Sequence, residues 1–548
     1  AAAAGESGTG WVQPSVSIIA SPKKNIVETE NGKIFGYSRR GTITFKGIPY
    51  GATTTGRARF QPPSNPKPWT GVRSSLYWGH VSPQDYTDTF DAQRAGWNHD
   101  DEAFMCRWED GHSSEDCLHL NVWTPSINDN AKRPVMVWIH GGGYTAGSDQ
   151  EMRMYPGGSL SRRGDVVVVS VNHRLGVLGY GNFMEYGTQY SSSPNIGQLD
   201  LVAALQWIKN NISNFGGDPN RVLIFGQSGG GAKVSVLMGM PLAKGLFHRA
   251  VVESGSSLRQ GTPEASARVA AGVVAALGLS KATFERIHEL PVQQLIQATV
   301  TAQRIAAAAG AGGGPGIGGF GPVVDGNILP RNSFDPDASP YSAQVPLIVG
   351  TVYNEFYNTV QMGDISLEDM TLAEARQRLS SRGRGGLGQD ASRVIQAFQA
   401  AHPTATPFEV FSVIAATSSM RRNALTQAAR KAAQGGAPAY NYWFQWQTPI
   451  LDGRPRAFHT SELPFVFYNT ERCAYMTGGG PDALKLGGVM ADAWISFART
   501  GDPNHAGLPN WPKYDAATVP TMIFDNDVRA VNDPDGEVRK AIDEAMKS

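Results

Sequence analysis

A mostly parallel β-sheet covered by helices is the fold that this 548-residue chain predicts. Apolar, β-rich runs alternate with helical periodicity through its first half. One helix pattern ends at Phe215-Gly216-Gly217-Asp218-Pro219, and a strand-like run begins at once. That run leads into a glycine-framed serine, Gly226-Gln227-Ser228-Gly229-Gly230, which is followed by a helix-like stretch.

In chain order, residues 135–139 and 166–171 are apolar runs short enough for buried strands. Leu201, Ala204, Leu205, Ile208 and Ile212 recur at helical spacing, and 222–225 forms the next strand run. Further strands are expected at 345–351 and 440–445. In open α/β sheets functional groups gather beyond the carboxyl ends of the strands, where the candidates below fall. The Ala- and Gly-rich segment 306–321 lacks the Gly-Lys-Ser/Thr ending and the preceding strand of a phosphate loop, and reads as a flexible surface insertion.

Composition narrows the function. Lys plus Arg and Asp plus Glu both count 48, so no basic excess points to nucleic acid. No apolar run approaches the roughly 18 residues of a membrane helix. The chain starts Ala1-Ala2-Ala3-Ala4-Gly5-Glu6, which fits a mature end after signal cleavage, hence a secreted or periplasmic protein, or a boundary set by cloning. Cys106, Cys117 and Cys473 are too few for a disulfide scaffold, although the first two are near enough to close a short loop. No Cys/His ligand spacing exists, which argues against a zinc site; no metal and no cofactor are expected. The acidic stretch 99–116 has no calcium-loop register and reads as a solvated loop.

Two glycine loops carry the chemistry. A Gly-X-Ser-X-Gly turn between strand and helix strains the serine and aims its Oγ off the sheet edge, although a lone instance also fits a structural βα turn. His140-Gly141-Gly142-Gly143-Tyr144 directly follows the run 134–139. Residues without side chains let backbone N–H groups approach a substrate, as an oxyanion site requires.

The chain resembles the type-B carboxylesterases, the cholinesterase-like branch of the α/β-hydrolases, from about residue 32 to 511. The resemblance rests on Phe45-Lys46-Gly47-Ile48-Pro49-Tyr50, Ser114-Glu115-Asp116-Cys117-Leu118, Asn172-His173-Arg174-Leu175-Gly176, Asn214-Phe215-Gly216-Gly217-Asp218-Pro219, Phe320-Gly321-Pro322-Val323-Val324-Asp325-Gly326 and Trp494-Ile495-Ser496-Phe497-Ala498, besides the two loops. It implies one α/β-hydrolase domain over 1–548, with a small N-terminal β region at about 15–50 and insertions forming a lid or gorge. The implied activity is serine carboxylesterase action on a small-molecule ester. Ser228 would be the nucleophile, Glu355 in Gly350-Thr351-Val352-Tyr353-Asn354-Glu355 the acid, and His459 before Thr460-Ser461-Glu462-Leu463-Pro464-Phe465 the base. The oxyanion donors would be the N–H groups of Gly142, Gly143 and Gly229.

Departures from the family pattern carry their own expectations. Gln227 replaces the usual Glu before the nucleophile, which argues against cationic alcohol groups. Gly229 and Gly231 stand where alanines are common and suggest a roomier floor. The family's upstream cysteine is Ser82 here, so the resemblance implies a Cys106–Cys117 disulfide instead. Trp108 is expected in a packing or rim role. Tyr144, Phe320, Phe356, Tyr357 and Phe465 line a gorge or fill core, and Arg153 and Arg259 would suit an acidic substrate. An acyltransferase, or a catalytically silent binding protein of the same fold, is the alternative to an esterase.

Overall fold

Valine-rich segments buried on both faces cannot alternate with polar residues, and here they form the middle of a large sheet. The computed structural model describes residues 17–85, 104–105, 111–308, 320–381 and 386–547. Its strands are β1 (Ile19–Ala20), β2 (Ile26–Thr29), β3 (Gly32–Phe35), β4 (Tyr37–Arg39), β5 (Thr42–Pro49), β6 (Val72–Ser74), β7 (His119–Thr124), β8 (Arg133–Ile139), β9 (Val167–Val171), β10 (Gly217–Gln227), β11 (Arg249–Glu253), β12 (Leu347–Val352), β13 (Ala439–Phe444), β14 (Pro520–Phe524) and β15 (Arg529–Asn532). Twelve of them form one sheet in the order β1-β4-β5-β7-β9-β8-β10-β11-β12-β13-β14-β15, and β2, β3 and β6 form a small second one. From β9 through β14 every pairing is parallel, and the edges are antiparallel. This is the mostly parallel, helix-covered sheet of the α/β-hydrolase fold.

Side-chain alternation divides the interior in two. Val135, Val137, Val167, Val169, Val222 and Ile224 enter one apolar cluster with Leu201, Ala204, Leu205 and Ile208 of the helix Ile196–Asn211. Met136, Trp138, Val168, Leu223 and Phe225 face the other, against Met490, Trp494 and Phe497 of the helix Pro481–Thr500. Buried ion pairs tie the motif segments into this frame. Arg174 Nη2 lies 2.6 Å from Asp200 Oδ1, and Arg59 grips both oxygens of Glu115 at 2.6 and 2.7 Å. Glu115 of the acidic stretch is therefore a structural anion; residues 99–103 and 106–110 lie outside the described part.

Chain order sets where the site falls. After β8 the chain lays β9 on one side, then crosses back to lay β10 on the other. Ile139, the last residue of β8, pairs with Gly226 near the end of β10, so the two glycine loops leave the sheet side by side. The helix ends in the 3₁₀ turn Ile212–Phe215 with Gly216 left-handed at φ 77°, as its punctuation predicts, and the strand starts earlier than its apolar run, at Gly217. Gly217 pairs with Arg133, and a register shift before Val222 accommodates Pro219. The N-terminal hairpins divide between both sheets. The segment expected as an insertion at 306–321 begins as the last turn of the helix Val292–Ala308 and ends with Gly321, next to the buried Phe320, while 309–319 lie outside the described residues.

The Cys106–Cys117 disulfide is corrected. Cys117 is a free thiol at 0% exposure, packed in the core ahead of β7, with the Ser82 hydroxyl as hydrogen-bond partner and burial pushing its pKa well up. The serine standing for the family's upstream cysteine thus contacts the cysteine it cannot bond to covalently. Cys106 and Trp108 lie outside the described residues. Cys473 is also free and buried, with the Tyr475 hydroxyl 3.8 Å from its Sγ.

Candidate active site

Ser228 sits at the apex between β10 and the helix Gly229–Leu237 with φ 56° and ψ −123°, a conformation a side-chain-bearing residue adopts only under constraint. The constraint is parallel β11: the Ser228 N–H donates to the Glu253 carbonyl at 2.8 Å. Such a turn costs on the order of 1–3 kcal/mol, and the surrounding ladder supplies it. Glu355, beyond the end of β12, has φ 50°; Thr460, beside His459, has φ 86°. Ser228, Glu355 and Thr460 are thus among the non-glycine residues held at positive φ in this chain.

Glu355 and His459 reach each other through their backbones before their side chains. The 355 and 458 positions form an isolated bridge, and the His459 N–H donates to the Glu355 carbonyl at 3.0 Å. The Asn354 N–H donates to the Ala457 carbonyl at 3.0 Å, and the Asn354 side chain accepts from the Ala457 N–H. With both segments clamped, His459 Nδ1 lies 2.5 Å from Glu355 Oε2, both side chains at 0% exposure. Glu355 Oε1 accepts from the Ser254 hydroxyl at 2.7 Å and from the Val352 N–H at 3.1 Å. The carboxylate is thus oriented by three donors, which fixes the imidazole ring it faces. Phe356 lies against that ring, centroids 3.8 Å apart.

His459 is joined to the serine turn through Gln227. The Gln227 amide nitrogen lies 3.1 Å from His459 Nε2, buried. An amide N–H donating there, with Nδ1–H given to Glu355, is the arrangement in which Nε2 carries the lone pair. Gln227→Glu is expected to place a carboxylate against that nitrogen and favour the imidazolium. With His459 as the expected base, a role that requires the neutral ring, the acidic limb of the kcat/KM profile should move to higher pH by about one unit, with relative activity lost at pH 6 and recovered by pH 8. A limb at unchanged pH would contradict this placement of Gln227.

The histidine-glycine loop closes the other side. Gly142 and Gly143 are left-handed, at φ 79° and 62°. A Cβ on Gly142 would stand 2.2 Å from the Ala146 carbonyl oxygen. A Cβ on Gly229 would stand 2.3 Å from the Gly143 nitrogen, so the space its missing methyl leaves is filled by the loop and the floor is not roomier. The structure therefore brings together Ser228, Gly229, Gly142 and Gly143 at the ends of β8 and β10, and Glu355 with His459 beside Gln227.

Among the flanking aromatics, Tyr144, Phe320 and Phe465 are core, and Phe356 and Tyr357 are half-buried. Arg259 is paired with Asp335 at 2.7 Å. It offers no argument for an acidic substrate, and the exposed Arg153 adds none.

Sequence reasoning missed four polar residues here. Ser254, at φ 45°, follows β11, and only its small polar type at a strand end signalled it. Glu253 and Glu462 are wholly buried; Trp494 Nε1 donates to Glu253 at 2.8 Å, and burial pushes Glu253 up to about 8 and Glu462 well above the usual carboxyl range. Lys233 is buried on the helix behind Ser228, its pKa lowered to about 7 by the same desolvation.

The carboxylesterase family model matches residues 23–541. Among curated relatives, the para-nitrobenzyl esterase of Bacillus subtilis is 33% identical over 522 residues, covering 94% of this chain and 98% of that protein. The phenmedipham hydrolase of Pseudarthrobacter oxydans is 31% identical, over 91% and 94%. Among solved structures, a Clostridium hathewayi esterase that can hydrolyse aliphatic aromatic polyesters superposes with a TM-score of 0.80 at 35% identity, covering 96% of this chain and all of that one. A Geobacillus stearothermophilus carboxylesterase gives 0.78 at 33%, over 94% and 100%.

Proposed function

The chain belongs to the carboxylesterase family and is a carboxylic ester hydrolase of the α/β-hydrolase fold, and on that premise we propose that it works through an acyl-enzyme on Ser228. The carrying observation is the buried 2.5 Å contact of His459 Nδ1 with Glu355, set beside a serine in a strained strand-to-helix turn. Ser228 Oγ attacks the ester carbonyl while His459 Nε2 takes its proton, and Glu355 holds the tautomer and stabilises the imidazolium. The oxyanion is met by the N–H groups of Gly142, Gly143 and Gly229, each worth on the order of 3 kcal/mol in the transition state. His459 then protonates the leaving alkoxide. Water, deprotonated by the same nitrogen, releases the acid.

Gln227 beside the nucleophile supports esters with uncharged alcohol groups, since no carboxylate stands there to attract a cation. One relative is named for a para-nitrobenzyl ester and one for the aryl carbamate phenmedipham, and a structural neighbour for aliphatic aromatic polyesters, which supports bulky aromatic esters as the class to try first. The test pairs a panel of such esters, neutral and cationic, with intact-mass measurement after an aryl phosphonofluoridate. One phosphonyl group on Ser228 and preference for the neutral esters are expected. A label elsewhere would sink the nucleophile assignment, and no turnover on any ester would return the binding-protein reading.

A further inference from the structure

Behind the oxyanion loop lies a lysine that the mechanism above does not use. Lys233 is on the helix Gly229–Leu237, just over one turn beyond Ser228, with 0% of its surface exposed. Among the described residues no carboxylate lies within ion-pairing distance of it; Glu151 is the one that bears on it electrostatically. Its Nζ instead donates to two backbone carbonyls of the loop, His140 at 3.1 Å and Gly141 at 3.5 Å. The Gly141 oxygen also faces His140 Nδ1 at 3.0 Å, and the His140 ring stacks on His173 with centroids 4.8 Å apart. An ammonium removed from water is costly unless its hydrogens are used, and here all its close partners are carbonyl oxygens of one loop.

Those carbonyls belong to the peptide units that contain the Gly141 and Gly142 N–H groups. Drawing electron density toward a carbonyl oxygen leaves the amide nitrogen of the same resonant unit more positive and its N–H a stronger donor. The contact also ties the loop to the helix that carries the nucleophile, so donor and attacking oxygen keep their spacing.

We propose that Lys233 is a positioning residue for ester hydrolysis, holding and polarising the oxyanion loop from behind through the His140 and Gly141 carbonyls. This rests on the assignment of Ser228 and of the Gly142 donor given above. Its effect falls on the transition state, which carries the oxyanion, and spares the bound ester.

Lys233→Met and Lys233→Gln test it, the first close in length without a donor, the second with a neutral donor. For a neutral aryl ester, Lys233→Met is expected to lower kcat about tenfold to a hundredfold with KM within about threefold, and Lys233→Gln to fall between it and wild type. Binding of an aryl trifluoromethyl ketone, whose serine adduct bears an oxyanion, should weaken by the same factor as kcat/KM. Loss of packing alone would not reproduce that proportion. A Lys233→Met enzyme within twofold of wild-type kcat overturns the proposal, as does a kcat loss without weaker ketone binding. Should Lys233→Met not fold, the same two criteria are applied to Lys233→Leu, which also lacks a donor. Phosphonate labelling of the wild type separates the levels: no label on Ser228 overturns the catalytic assignment itself, whereas a labelled wild type with undiminished variants overturns only the role of Lys233.

Discussion

Ser228→Ala is expected to reduce kcat/KM for every ester by about 10⁵-fold or more while the protein stays folded. The loss is large because no other hydroxyl takes the place of Ser228 Oγ at the turn apex: Ser254 is committed to Glu355, and its backbone N–H to the Gly350 carbonyl. Stability should hardly change, since alanine meets the same strain at φ 56° and the Ser228 N–H bond to the Glu253 carbonyl is backbone. Rates on the aryl ester panel, with a thermal melt beside them, make the measurement. Activity within a hundredfold of wild type would place the nucleophile elsewhere.

Glu355→Gln is expected to cost about 10³- to 10⁴-fold in kcat/KM, although the side chain changes by one atom. Its Oε1 position receives the Val352 N–H and the Ser254 hydroxyl. A glutamine must turn its oxygen toward the fixed Val352 donor, which aims its NH₂ at His459 Nδ1. That nitrogen must then accept, the ring proton moves to Nε2, and the atom that should deprotonate Ser228 already carries a proton. The rate of Ser228 phosphonylation should fall in parallel with ester turnover. A loss below tenfold would show that Glu355 does not set the tautomer.

The middle of the sheet was legible because parallel strands buried on both faces write themselves as valine-rich runs, as at 167–171. The two glycine loops were legible for a related reason: a left-handed or closely approached backbone demands glycine, and Gly142 shows both demands while Gly229 shows the second. Glu355 and His459 were different. Nothing local marks one carboxylate or one of 11 histidines, because what joins them is a bridge between segments about a hundred residues apart. They emerged only through motif resemblance. Lys233 and Ser254 were invisible for the same reason, since a lysine's type argues for solvent and only the tertiary fold sets it against two carbonyls. The cysteine pairing failed because Cys117 is enclosed in the core beside Ser82, which sequence separation does not report.

The contact of Gly229 with Gly143 has a consequence for how this enzyme can diversify. Main chain from the helix start meets main chain from the loop with no methyl-sized gap between them. Neither piece can move closer to the other, so the two would meet the proposed oxyanion as one fixed die whatever the substituents on the tetrahedral carbon. Inheritable change in ester preference is thereby expected in side chains around this backbone, such as half-buried Phe356 against the His459 ring, and not in the backbone itself.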